Sequence, residues 1–343
     1  MNIKFYMSDS FACGLIRGDI PAKYINRQAG DIRMDCKLEL MESDFPGTQV
    51  MVFQRSCQPA ALKRMIRAKR LGIKCVYDID DDLFNVPECT GPIAVNYMKP
   101  EVRAAMTGFF QNADAIVASC KEMADLCRKR NPHAPIFIIP NSIDFELYDD
   151  AYWNAKPHDS IVIGWHGSWS HIDDVPLIRD AIAQIMARYP EVRFKIMGSL
   201  NSKHFGEPLE PFKDRVIDGK WINFYDLPYV LADCDIGVCA LAASQFNRVR
   251  STIKLQEYAA AGVPCVCSPM PCYQEVVKSG ENGLIVESES TDGWINALSR
   301  LIESEQDRRA MGLRARKWVM DNCDIRNVSL LWADAYRQIA RLP

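Results

Sequence analysis

The sequence predicts an α/β protein made of two doubly wound parallel-sheet domains, with a ligand in a cleft at the carboxyl ends of the strands. Three observations predict it. Short apolar runs of strand length alternate with segments of helical period from Ile3 to the C-terminus. The 343 residues are enough for two domains with a core each. A charged stretch of low periodicity, Asp149 to Asp159 with Pro157, divides the alternation and is the best linker candidate.

In the first half, Ile3 to Tyr6 reads as a strand and Ser8 to Gly18 as a loop carrying Gly14 and Gly18. Gln49 to Phe53 is a second strand, ending at Gln54 and Arg55. The helix expected over Ala60 to Leu71 bears Lys63, Arg64, Arg67, Lys69 and Arg70. Such a run is usually a solvated face, and it can also attract an anionic acceptor. Strand Lys74 to Tyr77 leads into Asp78, Asp80, Asp81 and Asp82. Carboxylates after a strand can hold Mg²⁺ or Mn²⁺. The reading preferred is that they bind acceptor hydroxyls or pair with basic side chains; an exposed acidic loop is the plain alternative. Ala113 to Ser119 is a further strand, followed by a helix over Lys121 to Arg130 and a strand over Ile136 to Ile139.

The second half opens with strand Ile161 to Trp165 and a loop through Gly167 and Ser168. A helix over Asp173 to Tyr189 follows, with Asp173 or Asp174 as cap and Pro176 in its first turn. Strand, glycine, helix is the generic phosphate-facing turn. Further strands are expected at Phe194–Met197, Ile222–Phe224 and Asp233–Ala240. Ser251 or Thr252 caps a helix whose apolar positions are Ile253, Leu255, Tyr258 and Ala259; Gly262 stops it and Pro264 prevents its restart. Val263 to Cys267 is a short buried strand, and helices over Thr291–Ser304, Asp307–Asn322 and Ser329–Arg341 close the chain.

One helix start is unusual. Arg248, Arg250 and Lys254 crowd it, where the macrodipole disfavours cations by some tenths of a kcal/mol. A bound phosphate removes that conflict, because free backbone N–H groups and basic side chains both suit it. Glu257, one turn beyond Lys254, can take a ribose diol; a plain Lys–Glu pair on the surface is the alternative.

Composition bounds the rest. The chain is 48% hydrophobic and 25% charged with net charge −3, which gives no global drive toward nucleic acid or acidic membranes. No secretory leader is expected from MNIKFYM, and no apolar run approaches the ~18 residues of a membrane span. Thirteen scattered cysteines without a CxxC pair fit a reduced, cytoplasmic setting. Cys265, Cys267 and Cys272 read as buried filler rather than zinc ligands.

The stretch KLQEYAAAGVPCVCSPMPCYQEVVKSGENGLIV resembles the donor-sugar motif of GT-B glycosyltransferases, particularly the retaining family 4 group. Glu257, Gly262, Pro264, Ser268, Glu275, Gly280, Asn282 and Gly283 carry the match, with IVIGWHGSWSHIDDVPLI, ADAIVAS and IIPNSIDFELY beside it. Two departures stand out: Val249 where the family usually has a second Glu, and no basic residue soon after Gly167, His171 being nearest.

The resemblance implies two Rossmann-like domains facing across a cleft: 1–150 on the acceptor side, 151–325 for the nucleotide sugar, and a helix at 326–343 crossing back to the first domain. It implies a hexosyl- or pentosyltransferase moving sugar from a nucleotide-diphosphate sugar to an acceptor hydroxyl, with retention and without a catalytic metal. Lys254, with Arg250 or Arg248, would bind the diphosphate, and Glu275 the sugar hydroxyls. Glu257 would hold the ribose, while Gly14, Gly167, Ser168, Ser251, Thr252 and Ser268 would line the donor. Arg17, Asp78, Asp80, Asp81 and Asp82 would lie on the acceptor side. The acceptor is left open among a glycan, a lipid-linked sugar, a protein and a modified DNA base. A nucleotide-sugar epimerase or a non-catalytic nucleotide-sugar-binding protein are the alternative classes.

Overall fold

The computed structural model describes residues 1–153, 159–219, 221–288 and 290–343. The chain divides into two compact units. Met1–Ser142, Val249–Ser251 and Cys323–Pro343 make the first, and Ile143–Arg248 with Thr252–Asn322 make the second. The first boundary falls at Ser142 rather than near 150 for a packing reason. Helix Phe145–Trp153 lies against helices Leu227–Ala232 and Ile253–Ala260 of the second unit. The expected linker thus begins inside a helix, and its residues 154–158 lie outside the described residues.

The first sheet comprises β1 Asn2–Tyr6, β2 Arg33–Lys37, β3 Val50–Gln54, β4 Lys74–Ile79, β5 Ala115–Ala118 and β6 Ile136–Ile138. All pair in parallel, in the order β2-β1-β3-β4-β5-β6. Every residue of β3 is buried, as a parallel strand covered on both faces should be. Helix Pro59–Arg70 buries Ala61, Met65 and Ala68 and turns its charges outward, with Arg67, Lys69 and Arg70 in the last turn where the macrodipole favours cations. Lys69 is held 2.6 Å from Asp114. Helix Ile325–Ile339 covers the other face through Val328, Trp332, Tyr336 and Ile339, its start capped by Asp324 accepting from Arg326 N–H at 2.8 Å.

The second sheet comprises β7 Ile161–Gly167, β8 Val192–Gly198, β9 Val216–Asp218, β10 Ile236–Cys239, β11 Cys265–Cys267 and β12 Leu284–Ile285, in the order β12-β11-β10-β7-β8-β9. Its core runs through Ile163, Trp165, Ile182, Phe194, Val238, Val266 and Trp294. Among the described residues no helix is long and apolar enough to cross a membrane.

Three expectations fail locally. Ser8 to Gly18 is not a glycine loop: from Ala12 the chain is helical through to Gln28. The strand expected at Ile222–Phe224 is a turn, in which Asn223 Oδ1 accepts from Tyr225 N–H at 3.0 Å; Val216–Asp218 takes the sheet edge instead. The helix after β7 begins at Val175, and Asp174 makes no capping bond to it.

Candidate functional site

In each sheet the chain reverses its winding once, and ligands bind outside the strand ends at that place. In the second unit the reversal lies between β7 and β10. Two glycines let helix Ile253–Ala260 pack tightly there. A Cβ on Gly237 would come 2.6 Å from Tyr258 Cγ, and one on Gly164 would come 3.0 Å from the Tyr258 hydroxyl. Gly262, at φ +78°, ends the helix in a conformation that glycine adopts freely. The helix start is less regular than expected: Thr252 makes no side-chain cap.

This packing buries Lys254 and Glu257 at the end of β7. The Lys254 ammonium lies 5.2 Å from the centre of the Trp165 ring. Glu257 Oε2 lies 3.5 Å from His166 Nε2, and the His166 ring is 5.1 Å from that of Tyr258. Glu257 is therefore a buried carboxyl inside the unit, not half of a surface pair. Burial pushes it up to about 8, opposed by Lys254 and helped by Cys239. Burial, then the Lys254 charge, pushes the His166 imidazole down to about 3. Burial also carries the Tyr148 phenol well above its usual range, and the neighbouring Glu257 adds to that.

These shifts predict a pH dependence. Between the ordinary values of 4.5 and 6.5, the unfolded pair keeps one proton on histidine and the folded pair keeps one on glutamic acid, so stability is level. Above 6.5 only the folded state holds a proton, on Glu257, and stability falls toward pH 8. Below 4.5 the unfolded state holds two protons to the folded state's one, and stability falls toward pH 3. Glu257→Gln should remove the alkaline fall and leave the loss below 6.5 that His166 causes. Melting temperatures of both proteins from pH 6 to 8.5 check this. Parallel curves would make Glu257 an ordinary ionised carboxylate.

A second buried pair lies in the turn that follows β7. His171 Nδ1 is 2.6 Å from Asp174 Oδ2, and Asp174 Oδ1 accepts from Ala242 N–H at 2.7 Å and Asn247 Nδ2 at 2.9 Å. One carboxylate thus ties the loop after β7 to the loop after β10. Sequence reasoning missed this by reading Asp174 as a cap.

The remaining donor-side expectations separate. Gly167 pairs in register with Gly198, which at φ +106° brings its Cα hydrogen side against Gly167 O. Ser168 is exposed and shares a hydrogen bond with Ser170 at 3.0 Å. Ser268 is buried, its hydroxyl accepting from Leu241 N–H at 2.9 Å. Glu275 is exposed on helix Pro271–Val276, while Asn282 closes the turn behind it by bonding Lys278 N–H and Val276 O. Arg248 is exposed at the end of helix Gln245–Arg248.

Val249, Arg250 and Ser251 belong to the first unit. Val249 packs into its core, Arg250 Nε lies 3.8 Å from Asp81, and Ser251 Oγ accepts from Asn141 at 2.9 Å. Gly14 is also there, inside a helical turn where a Cβ would come 1.9 Å from Asp9 O, so its missing side chain makes room for protein backbone. Arg17 and Asp78 are buried partners, with Nη2–Oδ2 at 2.7 Å and Nε–Oδ1 at 3.2 Å. Asp82 takes Asn85 Nδ2 at 2.6 Å. Asp80 and Asp81 face Arg55. Among the described residues no three His, Cys, Asp or Glu side chains are grouped to hold a metal.

Residues 160–304 match the family model described as Glycosyl transferases group 1. That match covers less than half of the chain and falls mostly in the second unit. The D-inositol 3-phosphate glycosyltransferase of Corynebacterium urealyticum is 24% identical over 263 residues, covering 67% of this chain and 61% of that relative. The chain thus spans less than two thirds of that relative's length. Among solved structures, Anabaena Alr3699/HepE in complex with UDP and glucose superposes with TM-score 0.69 at 16% identity, over 98% of this chain and 100% of that one. Sucrose-phosphate synthase from Thermosynechococcus elongatus gives 0.73 at 14% identity over 99% of both chains. At such identities the likeness is one of fold, and the fold is GT-B: two units, each a doubly wound parallel sheet.

Proposed function

We propose that the protein transfers a sugar from a nucleotide-diphosphate sugar to an acceptor hydroxyl, with retention and without a metal in the step. The observation that carries this reading is the placement of Lys254 and Glu257, one turn apart on a helix at the reversal of the second sheet. Breaking the glycosidic bond leaves negative charge on the diphosphate. A fixed cation nearby stabilises that charge more in the transition state than in the ground state, and a held acceptor needs little further assistance. Lys254 supplies the cation and Glu257 accepts from the ribose hydroxyls. Arg248, Ser168, Thr252 and the exposed Glu275 remain available to the diphosphate and the sugar. The UDP in the Anabaena complex makes uridine the first nucleotide to try.

The test is calorimetry with UDP in EDTA. The wild type should bind at neutral pH, where Glu257 keeps its proton, and Glu257→Ala should weaken binding by about 0.5–1.5 kcal/mol, the range for a hydrogen bond between uncharged groups, or roughly 2- to 13-fold. Unchanged affinity in a folded variant would make Glu257 structural. Binding lost in EDTA and restored by Mn²⁺ would put a metal into the site.

A further inference from the structure

β9 is the last strand of the second sheet, so no further strand covers its outer edge. It lies two strand spacings, about 10 Å, beyond β7 and the reversal where Lys254 and Glu257 sit. Val216 and Asp218 stand in register with Phe194 and Ile196 of β8 and share their side of the sheet. That is a packed side, where Phe194 and Ile196 belong to one core with Phe205 and Leu209. Between β9 and the segment that leads into it there remains a cavity of about 180 Å³.

The walls follow from the sequence. Asn201 caps the short helix Ser202–Phe205, its Oδ1 accepting from Lys203 N–H at 3.2 Å, and Gly206 at φ +74° ends it. Glu207–Arg215 then runs back as a 3₁₀ helix. Asp218 fastens one end of this arrangement, accepting from Ser202 N–H at 2.7 Å and Ser202 Oγ at 2.6 Å. Arg215 fastens the other, donating to Met186 O at 2.6 Å and Val192 O at 3.0 Å. The cavity is therefore formed before any ligand arrives. Gly206 faces open space, for a Cβ there would meet no atom within 4 Å.

The lining has two kinds of surface. Leu209 and Val216 supply the apolar part, and Ser202, Glu210, Lys213 and Asp218 the polar part. Residues three apart eclipse in a 3₁₀ helix, so Glu210 and Lys213 share a face. They carry opposite charge and are exposed, yet no hydrogen bond or ion pair joins either to any described residue. The volume admits one six-membered ring, since an apolar cavity of about 150 Å³ holds benzene. Charge and polarity narrow the class further. An anion would meet two carboxylates against one ammonium, and a hydrocarbon ring would answer none of the three. An uncharged pyranose meets both surfaces: its C–H face covers Leu209 and Val216, while its hydroxyls donate to the carboxylates and accept from Lys213.

We propose that this cavity binds one uncharged pyranose ring, at a site separate from the donor crevice. The proposal goes beyond the transfer reaction and does not depend on the roles given to Lys254 and Glu257.

The experiment is ¹³C-methyl NMR of leucine and valine in the full chain, with Leu209 and Val216 assigned from Leu209→Met and Val216→Ile. The probes are the methyl glycosides of glucose, galactose, mannose and xylose. At least one should shift the Leu209 and Val216 methyls with Kd of about 1–10 mM, the range for so small a ligand. Lys213→Met should weaken that binding about fivefold or more, and Val216→Phe, which fills the cavity, should abolish it. If Val216→Phe fails to fold, Lys213→Met decides alone. Saturating UDP should leave the Kd unchanged, and acetate or free leucine should not move the two methyls. No shift from any of the four glycosides, normal binding by Lys213→Met, or an equal response to acetate or leucine would each overturn the proposal. Displacement of the sugar by UDP would make the cavity part of the donor site and overturn it too. UDP binding by the same samples is read separately, so its loss defeats the donor reading alone.

Discussion

Replacing Asp78 with alanine should destabilise the first unit by about 3–5 kcal/mol, the cost of leaving one member of a buried ion pair alone. Arg17 is 1% exposed and Asp78 0%, with two guanidinium–carboxylate bonds between them. The same guanidinium donates to Ile139 O at 2.7 Å and Asn141 Oδ1 at 3.1 Å and lies 4.7 Å from the Trp332 ring centre. Its charge therefore joins the start of the chain, β4, the segment after β6 and the C-terminal helix. Alanine at 78 would remove the tie to β4, keep the others, and leave the cation without its counter-charge. The double variant Arg17→Met/Asp78→Leu removes both charges at similar volume and should recover most of the loss, because desolvating the pair offsets much of its attraction. Urea unfolding with hydrogen exchange of the β3 and β4 amides measures both effects. A loss under about 1 kcal/mol for Asp78→Ala would mean that water reaches the pair, as at a surface bridge.

Much of this architecture is legible in the sequence where burial on both strand faces makes the pattern simple. β3 and β5 are short, mostly apolar runs buried throughout, and Gly262 with Pro264 marks the end of the Lys254 helix at the correct residue. Gly14 and Gly18 mislead for a physical reason: in a single sequence a glycine that admits a neighbour resembles one that opens a loop. Gly18 in fact seats the Met7 sulfur, which a Cβ would meet at 2.9 Å. The polar partnerships are harder still, because they join residues far apart in the chain. Asp78 lies 61 residues from Arg17, and Asp174 lies 68 from Ala242. No local spacing encodes either. Asp174 read as a helix cap satisfies the same rule that makes it attractive as a loop tie, namely a carboxylate taking backbone N–H groups. Lys254 and Glu257 are legible as a pair on one helix face, but their burial is not, since it depends on Gly164 in β7 and Gly237 in β10.

Lys254 carries the mechanism proposed above, and its replacement should have the largest effect on turnover. Its ammonium is almost fully buried over Trp165, so removing the side chain outright would confuse packing with charge. Lys254→Met keeps the length and apolar stem while deleting the cation. If that cation meets the charge developing on the leaving diphosphate, kcat should fall by about 10²–10³, the loss typical of one preorganised electrostatic partner. The donor KM should change less, because the contact strengthens as the bond breaks. Stability should be unchanged or higher, because a desolvated charge is replaced by an apolar side chain. A lysine that only supports the fold predicts the reverse pattern: a shifted melting temperature with nearly normal turnover.

The decisive measurement is steady-state release of nucleoside diphosphate by Lys254→Met, with the donor the wild type uses and at matched melting temperature. A fall in kcat of two to three orders of magnitude, ~2.7–4 kcal/mol of transition-state stabilisation, is the result expected. A kcat within about threefold of wild type, worth only ~0.6 kcal/mol, would contradict the assignment of Lys254 to the leaving group.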